Sequence, residues 1–276
     1  MTNPTLRSCA GSPLATLSAL ASLAVVGLVV APTAAASAEE TAATSYVALG
    51  DSYSSGVGSR EYDPDSGSCQ RSPHAYPVLD AARTGAALTL VACSGATTAD
   101  VTAGQLSALS SSTGVVTISV GGNDAGFSAV LTECAMPAWA SDCDGAIDGA
   151  QAIINNDLPG RLDTLYAAIR ARATAAAVVV VGYPRLFNGE DCNAGTFFGP
   201  EEQQRLNGTA DLLASVTAGR AAAAGFSFVD PRDSFVVHAV CDSPEWLNGL
   251  SSPVSESYHP NRDGQAAYAD LVDDHL

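Results

Sequence analysis

Three short segments of the chain carry side chains that could do chemistry together. Ser52 lies in the run GDSYSSG, Asn123 lies in GGND, and His259 lies in SYHPN near the C-terminus. A serine hydroxyl attacks weakly until a base takes its proton, so serine chemistry requires a nearby imidazole. Acyl transfer also requires hydrogen-bond donors aimed at the developing oxyanion, and a carboxamide NH₂ can be one of them. The segments therefore predict a nucleophile, a base and an oxyanion donor, as in a serine esterase.

Of the four histidines, His259 is the one that its sequence context favours as the base. Pro260 restricts the backbone of His259 to an extended conformation, and a predicted helix begins shortly afterwards. A histidine fixed just before a helix is well placed to reach across a sheet edge. His74 and His238 are expected on loops or helix edges as solvated side chains, and His275 lies next to the C-terminal residue.

The predicted elements place Ser52, Gly95 and Asn123 just beyond the ends of three β-strands. Strands are predicted at 46–49, 87–92, 115–120, 177–181 and 226–229, and helices at about 73–83, 146–172 with an interruption near Pro159, 200–223 and 263–272. Continuous apolar strands that alternate with helices are typical of an α/β domain with a parallel sheet between two helical layers. Because open α/β sheets bind ligands at the carboxyl ends of their strands, the backbone N–H groups of Ser52 and Gly95 could join Asn123 as oxyanion donors.

The first 38 residues have the form of a secretory signal peptide. Arg7 provides a small positive region, residues 14–30 are largely apolar, and the triplet ASA at 36–38 is a cleavage site. The alternative is an uncleaved membrane anchor. Cleavage would leave residues 39–276, which are enough for one α/β domain and short for two. We therefore expect an exported single-domain protein, with no later segment apolar enough to cross a bilayer.

The charge balance argues against polyanions as partners. The 12 cations, all of them arginine, face 29 acidic residues, which gives a net charge of −17. Such a surface repels phosphate backbones and anionic headgroups, which argues against nucleic-acid binding, and it tolerates neutral ester substrates. No feature of the sequence indicates an oligomer, so a monomer is the default expectation.

Six of the seven cysteines lie beyond the predicted signal peptide, and in an exported chain they indicate disulfides. Six cysteines allow 15 different pairings. Their spacing favours local closure, with the pairs Cys69–Cys93, Cys134–Cys143 and Cys192–Cys241. Neither C-x-x-C nor a pair of closely spaced histidines occurs, so no metal site is predicted.

The segments around Ser52, Gly95, Asn123 and His259 together resemble the four sequence blocks of the SGNH (GDSL) hydrolase family, whose name stands for Ser, Gly, Asn and His. The blocks match Ser52, Gly95, Asn123 and His259, and the similarity extends from Tyr46 to the final predicted helix. Secreted actinobacterial lipases and esterases of that family resemble the chain most, through the runs VALGDSYSSGVG and ISVGGNDAGF. The G-x-S-x-G elbow of the α/β-hydrolase fold is absent around Ser52. The resemblance implies a flavodoxin-like αβα sandwich in one domain, three sequential disulfides, and catalysis without a metal or organic cofactor.

The group that orients His259 is where the sequence departs from a common pattern of that family. Many members carry an aspartate three residues before the histidine, and Glu256 occupies that position here. In similar secreted members a backbone carbonyl two residues before the histidine takes this role, and that residue here is Ser257. We favour the Ser257 carbonyl, because the longer side chain of glutamate would need a different geometry. A carbonyl dipole stabilises an imidazolium less than a carboxylate does, but it can still fix the tautomer.

The resemblance implies a secreted carboxylic ester hydrolase that acts on a neutral ester or lipid. An acyl-enzyme would form on Ser52, with His259 as general base. Lipase, simple esterase and phospholipase A activities are open, and a lipase or phospholipase A is favoured. A polysaccharide acetyl esterase is the alternative within the same class. The alternative from a different class is a non-catalytic secreted binding protein on the same scaffold, and the presence of the serine, asparagine and histidine argues against it.

Overall fold

The computed structural model describes residues 43–276, which belong to one compact unit, and the signal peptide predicted at 1–38 lies outside the described residues. Its centre is a sheet of five parallel strands. They are β1 (Ser45–Gly50), β2 (Ala87–Leu90), β3 (Val115–Ser119), β4 (Ala177–Val181) and β5 (Ser227–Val229). Strands β1, β3 and β4 are buried along most of their length, which explains why their sequences are apolar without alternation.

The strand order β2-β1-β3-β4-β5 determines where a ligand can bind. The chain moves outward from β1 to β2 and then returns past β1 to reach β3, so the winding direction reverses between β1 and β3. The connections after these strands cover opposite faces of the sheet, because parallel crossovers are right-handed. A crevice opens at such a switch point, outside the carboxyl ends of the two strands. Ser52 follows β1 and Asn123 follows β3, so both lie at this crevice.

Helices cover both faces of the sheet and form the predicted αβα sandwich. In chain order they are α1 (Ser52–Ser55), α2 (Tyr76–Thr84), α3 (Thr98–Asp100), α4 (Phe127–Cys134), α5 (Cys143–Asn156), α6 (Leu158–Arg172), α7 (Pro200–Ala223) and α8 (Arg262–Asp273). Helix α2 packs against α8, and α7 packs against both α5 and α6. No helix within residues 43–276 combines the length and the apolar character needed to cross a bilayer.

Each predicted helix is present in the structure, and the connections after β1, β2 and β3 contain further helices that the sequence does not predict. The predicted interruption near Pro159 is confirmed, because α5 ends at Asn156 and α6 begins at Leu158. The sequence does not predict the short helices α1 and α3 or helix α4, whose segments contain several residues of modest helix propensity. A reciprocal cap between Thr97 and Asp100 begins α3, and burial of one face stabilises α4.

Three disulfides fasten the connections that leave the carboxyl edge of the sheet. The structure joins the three pairs that local closure favours, which are Cys69–Cys93, Cys134–Cys143 and Cys192–Cys241. The first ties the β1–α2 connection to the segment after β2, and the second joins the end of α4 to the start of α5. The third links the connections after β4 and β5. Long segments around the crevice are therefore held in place by covalent bonds.

Candidate active site

Ser52 and His259 meet at the switch point between β1 and β3. The Nε2 atom of His259 lies 2.8 Å from the Oγ atom of Ser52, although 207 residues separate them in the chain. Both side chains line one cleft. A serine hydroxyl is therefore within hydrogen-bond reach of a base, at a place that substrate can enter.

The serine turn, residues 50–53, is fixed through its backbone. Gly50 has a φ of +118°, and a Cβ atom at this position would lie 2.3 Å from the carbonyl oxygen of Ser119, so glycine is required. The side-chain amide of Gln105 accepts a hydrogen bond from the Gly50 N–H at 2.7 Å. The same amide donates to the Gly50 carbonyl at 2.8 Å. These contacts determine where the strand ends and where Ser52 begins the next element.

The backbone of Ser257 orients the imidazole of His259. The Nδ1 atom of His259 lies 2.8 Å from the carbonyl oxygen of Ser257. Because a carbonyl can only accept, Nδ1 carries the proton and Nε2 presents its lone pair to the Ser52 hydroxyl. Tyr258 stands between the two residues with a φ of +60°, and its carbonyl accepts a 2.8 Å hydrogen bond from the Tyr53 hydroxyl. The Ser257 carbonyl, which the sequence favours as the orienting group, therefore lies against the imidazole.

The carboxylate of Glu256, the other candidate for that role, is engaged elsewhere. It is buried and accepts a hydrogen bond from the Tyr62 hydroxyl at 2.7 Å. Its second oxygen lies 3.6 Å from the guanidinium of Arg60. In this structure Glu256 therefore holds the 59–62 loop against the segment that precedes His259.

Burial lowers the pKa of His259 to about 4, because the enclosed imidazole loses the hydration that would stabilise its charged form. The hydrogen bond to the Ser257 carbonyl raises the pKa, but by less. The imidazole is therefore neutral at neutral and mildly acidic pH. The neutral form is the one that can accept a proton from Ser52.

Candidate oxyanion donors lie on the turns that follow β1, β2 and β3. Among the described residues, the N–H groups of Ser52 and Gly95 have no hydrogen-bond partner. The asparagine turn, residues 121–124, brings the Asn123 carboxamide to the cleft, where it donates to the Ala96 carbonyl at 3.1 Å. This bond places Asn123 beside Gly95 and leaves its second N–H for another acceptor.

Tyr183 links the serine turn to the asparagine turn. Its hydroxyl lies 2.5 Å from Oδ2 of Asp51 and 3.4 Å from the N–H of Gly122. The Oδ1 atom of Asp51 accepts from the Tyr53 N–H and so caps α1. Burial raises the pKa of Asp51 to about 7, while its hydrogen bond to Tyr183 acts in the opposite direction. Sequence reasoning does not find Tyr183, because it follows β4 and lies 132 residues from Asp51.

The remaining histidines of the described chain make other contacts. His74 pairs with Glu61 at 2.9 Å, and the ring of His238 stacks on Trp246 with the ring centroids 3.6 Å apart. His275 lies just beyond the end of α8. Within residues 43–276, no cluster of three or more histidine, cysteine, aspartate or glutamate side chains is arranged to hold a metal ion.

The cleft that contains Ser52 is mostly apolar and has a volume of about 360 Å³. Helix α4 forms one wall, and the connection after β4, together with the segment before His259, forms another. The larger aliphatic and aromatic residues of the lining include Phe127, Leu131, Leu186, Leu213, Leu250 and Val254. Among the described residues that line it, none is an arginine. Such a cleft favours an uncharged, largely hydrocarbon ligand.

The chain resembles known proteins in both sequence and structure. The model of the GDSL-like lipase/acylhydrolase family matches residues 48–267. A lipase from Streptomyces rimosus is 47% identical over 235 residues, which cover 84% of this chain and 87% of that protein. A phospholipase A1 from Streptomyces albidoflavus NA297 has a crystal structure that is 44% identical, with a TM-score of 0.80, over 85% of this chain and 100% of that one.

The crystal structure of an extracellular lipase from Streptomyces rimosus is 45% identical to this chain, with a TM-score of 0.79. The match covers 85% of this chain and 100% of that structure. The region that the family model matches contains Ser52, Gly95, Asn123 and His259.

Proposed function

The chain belongs to the GDSL-like lipase/acylhydrolase family, and on that premise we propose that it is a secreted serine carboxylic ester hydrolase that acts on lipids. The observation that carries the proposal is the 2.8 Å contact between Ser52 Oγ and the neutral imidazole of His259 in an apolar cleft. Export is supported by the predicted signal peptide at 1–38, by three disulfides, and by the similarity to an extracellular lipase.

The first half of the reaction forms an acyl-enzyme. The Ser52 hydroxyl attacks the acyl carbon of the ester, and its proton passes to Nε2 of His259. The Ser257 carbonyl accepts a hydrogen bond from the Nδ1–H of His259 and stabilises the imidazolium that forms. The tetrahedral intermediate then collapses, the bond from carbon to the alcohol oxygen breaks, and His259 gives its proton to the leaving alcohol.

The oxyanion of the tetrahedral intermediate is the charge that the site must stabilise. We assign this role to the N–H groups of Ser52 and Gly95 and to the carboxamide of Asn123, which lie on neighbouring turns. In the second half of the reaction His259 takes a proton from water, and the resulting hydroxide attacks the acyl carbon. The Ser52 oxygen leaves as its proton returns, and the carboxylic acid is released.

The apolar lining of the cleft indicates the class of substrate. Each buried CH₂ group of an acyl chain contributes about 0.8 kcal/mol to binding, so a long chain gains more from this cleft than an acetyl group does. A lipase or a phospholipase A is therefore favoured over a polysaccharide acetyl esterase, whose substrate is mostly polar. The proteins similar to this chain include a lipase and a phospholipase A1, which agrees with that order.

Hydrolysis of p-nitrophenyl acetate, octanoate and palmitate tests the proposal. We expect Ser52→Ala to lower kcat by about 10⁵-fold or more, because the nucleophile and base act as a unit. We expect the octanoate to exceed the acetate in kcat/KM by about tenfold or more, because its chain buries additional CH₂ groups. Release of fatty acid from phosphatidylcholine then tests for phospholipase A activity.

Ser107→Ala is the matched control, because Ser107 is exposed and lies outside the cleft. It should keep the wild-type rate on every ester. A rate that is highest on the acetate would favour the acetyl esterase. An oxidised, folded protein that hydrolyses none of the three esters would contradict the enzyme and favour a binding protein on the same scaffold.

A further inference from the structure

Large apolar side chains that remain exposed are concentrated on one side of the described molecule. Seven such residues are exposed, and six of them lie in the segments that follow the carboxyl ends of β3, β4 and β5. They are Trp139, Phe197, Val236, Val237, Leu250 and Val254. The seventh, Leu276, follows α8, which runs from the cleft to the opposite edge of the sheet. The carboxyl edge is also the edge at which the active-site cleft opens.

Two of these residues connect the exposed surface to the cleft itself. Val254 is 71% exposed and Leu250 is 40% exposed, yet both line the cleft that contains Ser52. Phe197 lies on the neighbouring loop, where the Asn193 side chain accepts a hydrogen bond from the Leu250 N–H at 3.1 Å. The lining of the cleft therefore continues outward onto exposed apolar residues.

Trp139 extends the apolar surface on the other side of the cleft. It is 88% exposed and follows α4, whose side chains line the cleft up to Ala135. Arg205 near the start of α7 pairs with Asp144 and Asp148 near the start of α5, with 2.5 Å between Arg205 Nη2 and Asp148. Helix α7 begins on the carboxyl side of the sheet, because it follows β4 and leads back to β5. The 135–142 segment, which ends at α5, therefore lies on that side too.

The charges of these segments select the kind of surface that could be bound. Residues 120–160, 186–204 and 233–261 contain no arginine or lysine, and each segment contains acidic residues. An anionic lipid surface would be repelled here, since binding to such surfaces relies on basic residues. An exposed apolar patch with a tryptophan at its edge suits the boundary between headgroups and acyl chains.

We propose that Trp139, Phe197, Leu250 and Val254, termed here the apolar rim, dock the protein onto the surface of an uncharged or zwitterionic lipid aggregate. The inference rests on the proposed function, because it takes the substrate to be a lipid. Docking places the mouth of the cleft against the lipid, so that an acyl chain moves from the aggregate to Ser52 without crossing water.

Binding to vesicles tests the proposal separately from catalysis. The protein used is the full oxidised chain with Ser52→Ala, so that lipid is not consumed, and the vesicles are either pure phosphatidylcholine or rich in phosphatidylglycerol. We expect flotation with phosphatidylcholine and a blue shift of the Trp139 emission. Trp246, the second tryptophan, is stacked on His238 and should not change. Trp139→Ala and Phe197→Ser should each weaken binding about fivefold or more.

Leu276→Ser is the matched control, because it removes an exposed apolar side chain far from the rim and should leave vesicle binding unchanged. With Ser52 intact, Trp139→Ala and Phe197→Ser should hydrolyse p-nitrophenyl acetate at the wild-type rate, which also shows that they fold. If one variant does not fold, the other decides. The proposal is overturned if the protein does not bind phosphatidylcholine vesicles or if it prefers vesicles rich in phosphatidylglycerol. It is also overturned if Leu276→Ser weakens vesicle binding as much as the rim variants do. If the wild type hydrolyses no ester, that result contradicts the proposed function and not the binding of lipid.

Discussion

The proposed nucleophile Ser52 and the proposed base His259 are held by two regions that are built in different ways. The serine turn continues directly from β1, and both backbone groups of Gly50 are bonded to the Gln105 side chain. The segment that carries His259 is irregular, and its shape depends on backbone bonds to Asn248 and on the Tyr53 hydroxyl. The sheet positions Ser52 and the proposed oxyanion donors together, whereas a few separable hydrogen bonds position His259. The effects of substitutions on activity should therefore differ in size and in kind between the two regions.

After Ser52→Ala, the largest effect is expected at the proposed base. His259→Gln keeps a polar side chain of similar size but cannot take the proton of Ser52, so kcat should fall by about 10⁴-fold or more. The measurement is kcat and KM on p-nitrophenyl octanoate. KM should change little, because the apolar cleft still binds the acyl chain. A variant that retains a tenth of the wild-type kcat would show that another group acts as the base.

The next largest effect is expected in the region that the sheet positions. Asn123→Ala removes one proposed oxyanion donor, and such losses lower kcat by about 10² to 10³-fold. Asn123→Asp keeps the shape and replaces the NH₂ group with an oxygen, so it should be at least as harmful. Steady-state kinetics on the same ester compare the two variants. Equal and small losses in both would remove Asn123 from the oxyanion site.

The pH dependence of the wild type reports the charge of His259. Because burial lowers its pKa to about 4, kcat/KM should be retained down to about pH 5 and fall by about tenfold per pH unit below 4. Unfolded histidine titrates near 6.5, so the unfolded state takes up the proton first as the pH falls. Folding stability from this residue is therefore complete above about pH 6.5 and decreases towards pH 4. A fall in activity that begins near pH 6.5 would contradict the lowered pKa.

Removal of single hydroxyl groups compares the two regions directly. Tyr183→Phe breaks the link between the serine turn and the asparagine turn, and we expect kcat to fall about tenfold at constant KM. Tyr53→Phe removes the bond to the Tyr258 carbonyl, which other backbone bonds support, and we expect a fall of about threefold. Tyr166→Phe is the control, because its buried hydroxyl has no partner among the described residues.

The pH profile separates positioning by Tyr183 from a loss of stability. The Tyr183 bond lowers the pKa of Asp51, so Tyr183→Phe should move any ionisation step near pH 7 upward, and Tyr53→Phe should leave that step in place. Thermal unfolding of all three variants shows how much of each loss is structural. Equal losses for Tyr53→Phe and Tyr183→Phe would mean that the two regions are equally constrained.

Much of the fold and of the candidate active site can be predicted from local sequence. Strands β1 and β3 are buried and largely apolar, and Ser52 and Asn123 follow them, whereas Gly95 follows the partly exposed edge strand β2. Register in a parallel sheet then brings strand ends together without further information. His259 is predictable because Pro260 and the helix after it restrict its backbone.

The supporting contacts are not predictable in the same way, because they join positions that no local pattern relates. The partner of Gly50 is Gln105, 55 residues away, and the partner of Asp51 is Tyr183 on another connection. Hydrophobic periodicity in the sequence does not predict the apolar rim either. Its members lie in irregular loops and come together only because the sheet places those loops side by side. Helix α4 depends likewise on tertiary burial rather than on its own propensity.

The smallest effect is expected at Glu256. It precedes His259 by three residues, but its carboxylate accepts a hydrogen bond from Tyr62. Glu256→Gln keeps an acceptor for the Tyr62 hydroxyl and leaves the Ser257 carbonyl on Nδ1, so kcat should change by less than about twofold. The acidic limb of the pH profile should also stay near pH 4, because no carboxylate stabilises the imidazolium. If the carboxylate oriented His259 as an aspartate does in a Ser-His-Asp triad, its neutralisation would lower kcat by about 10⁴-fold. The two outcomes differ by more than three orders of magnitude, so one kinetic comparison decides whether the base is held by its backbone.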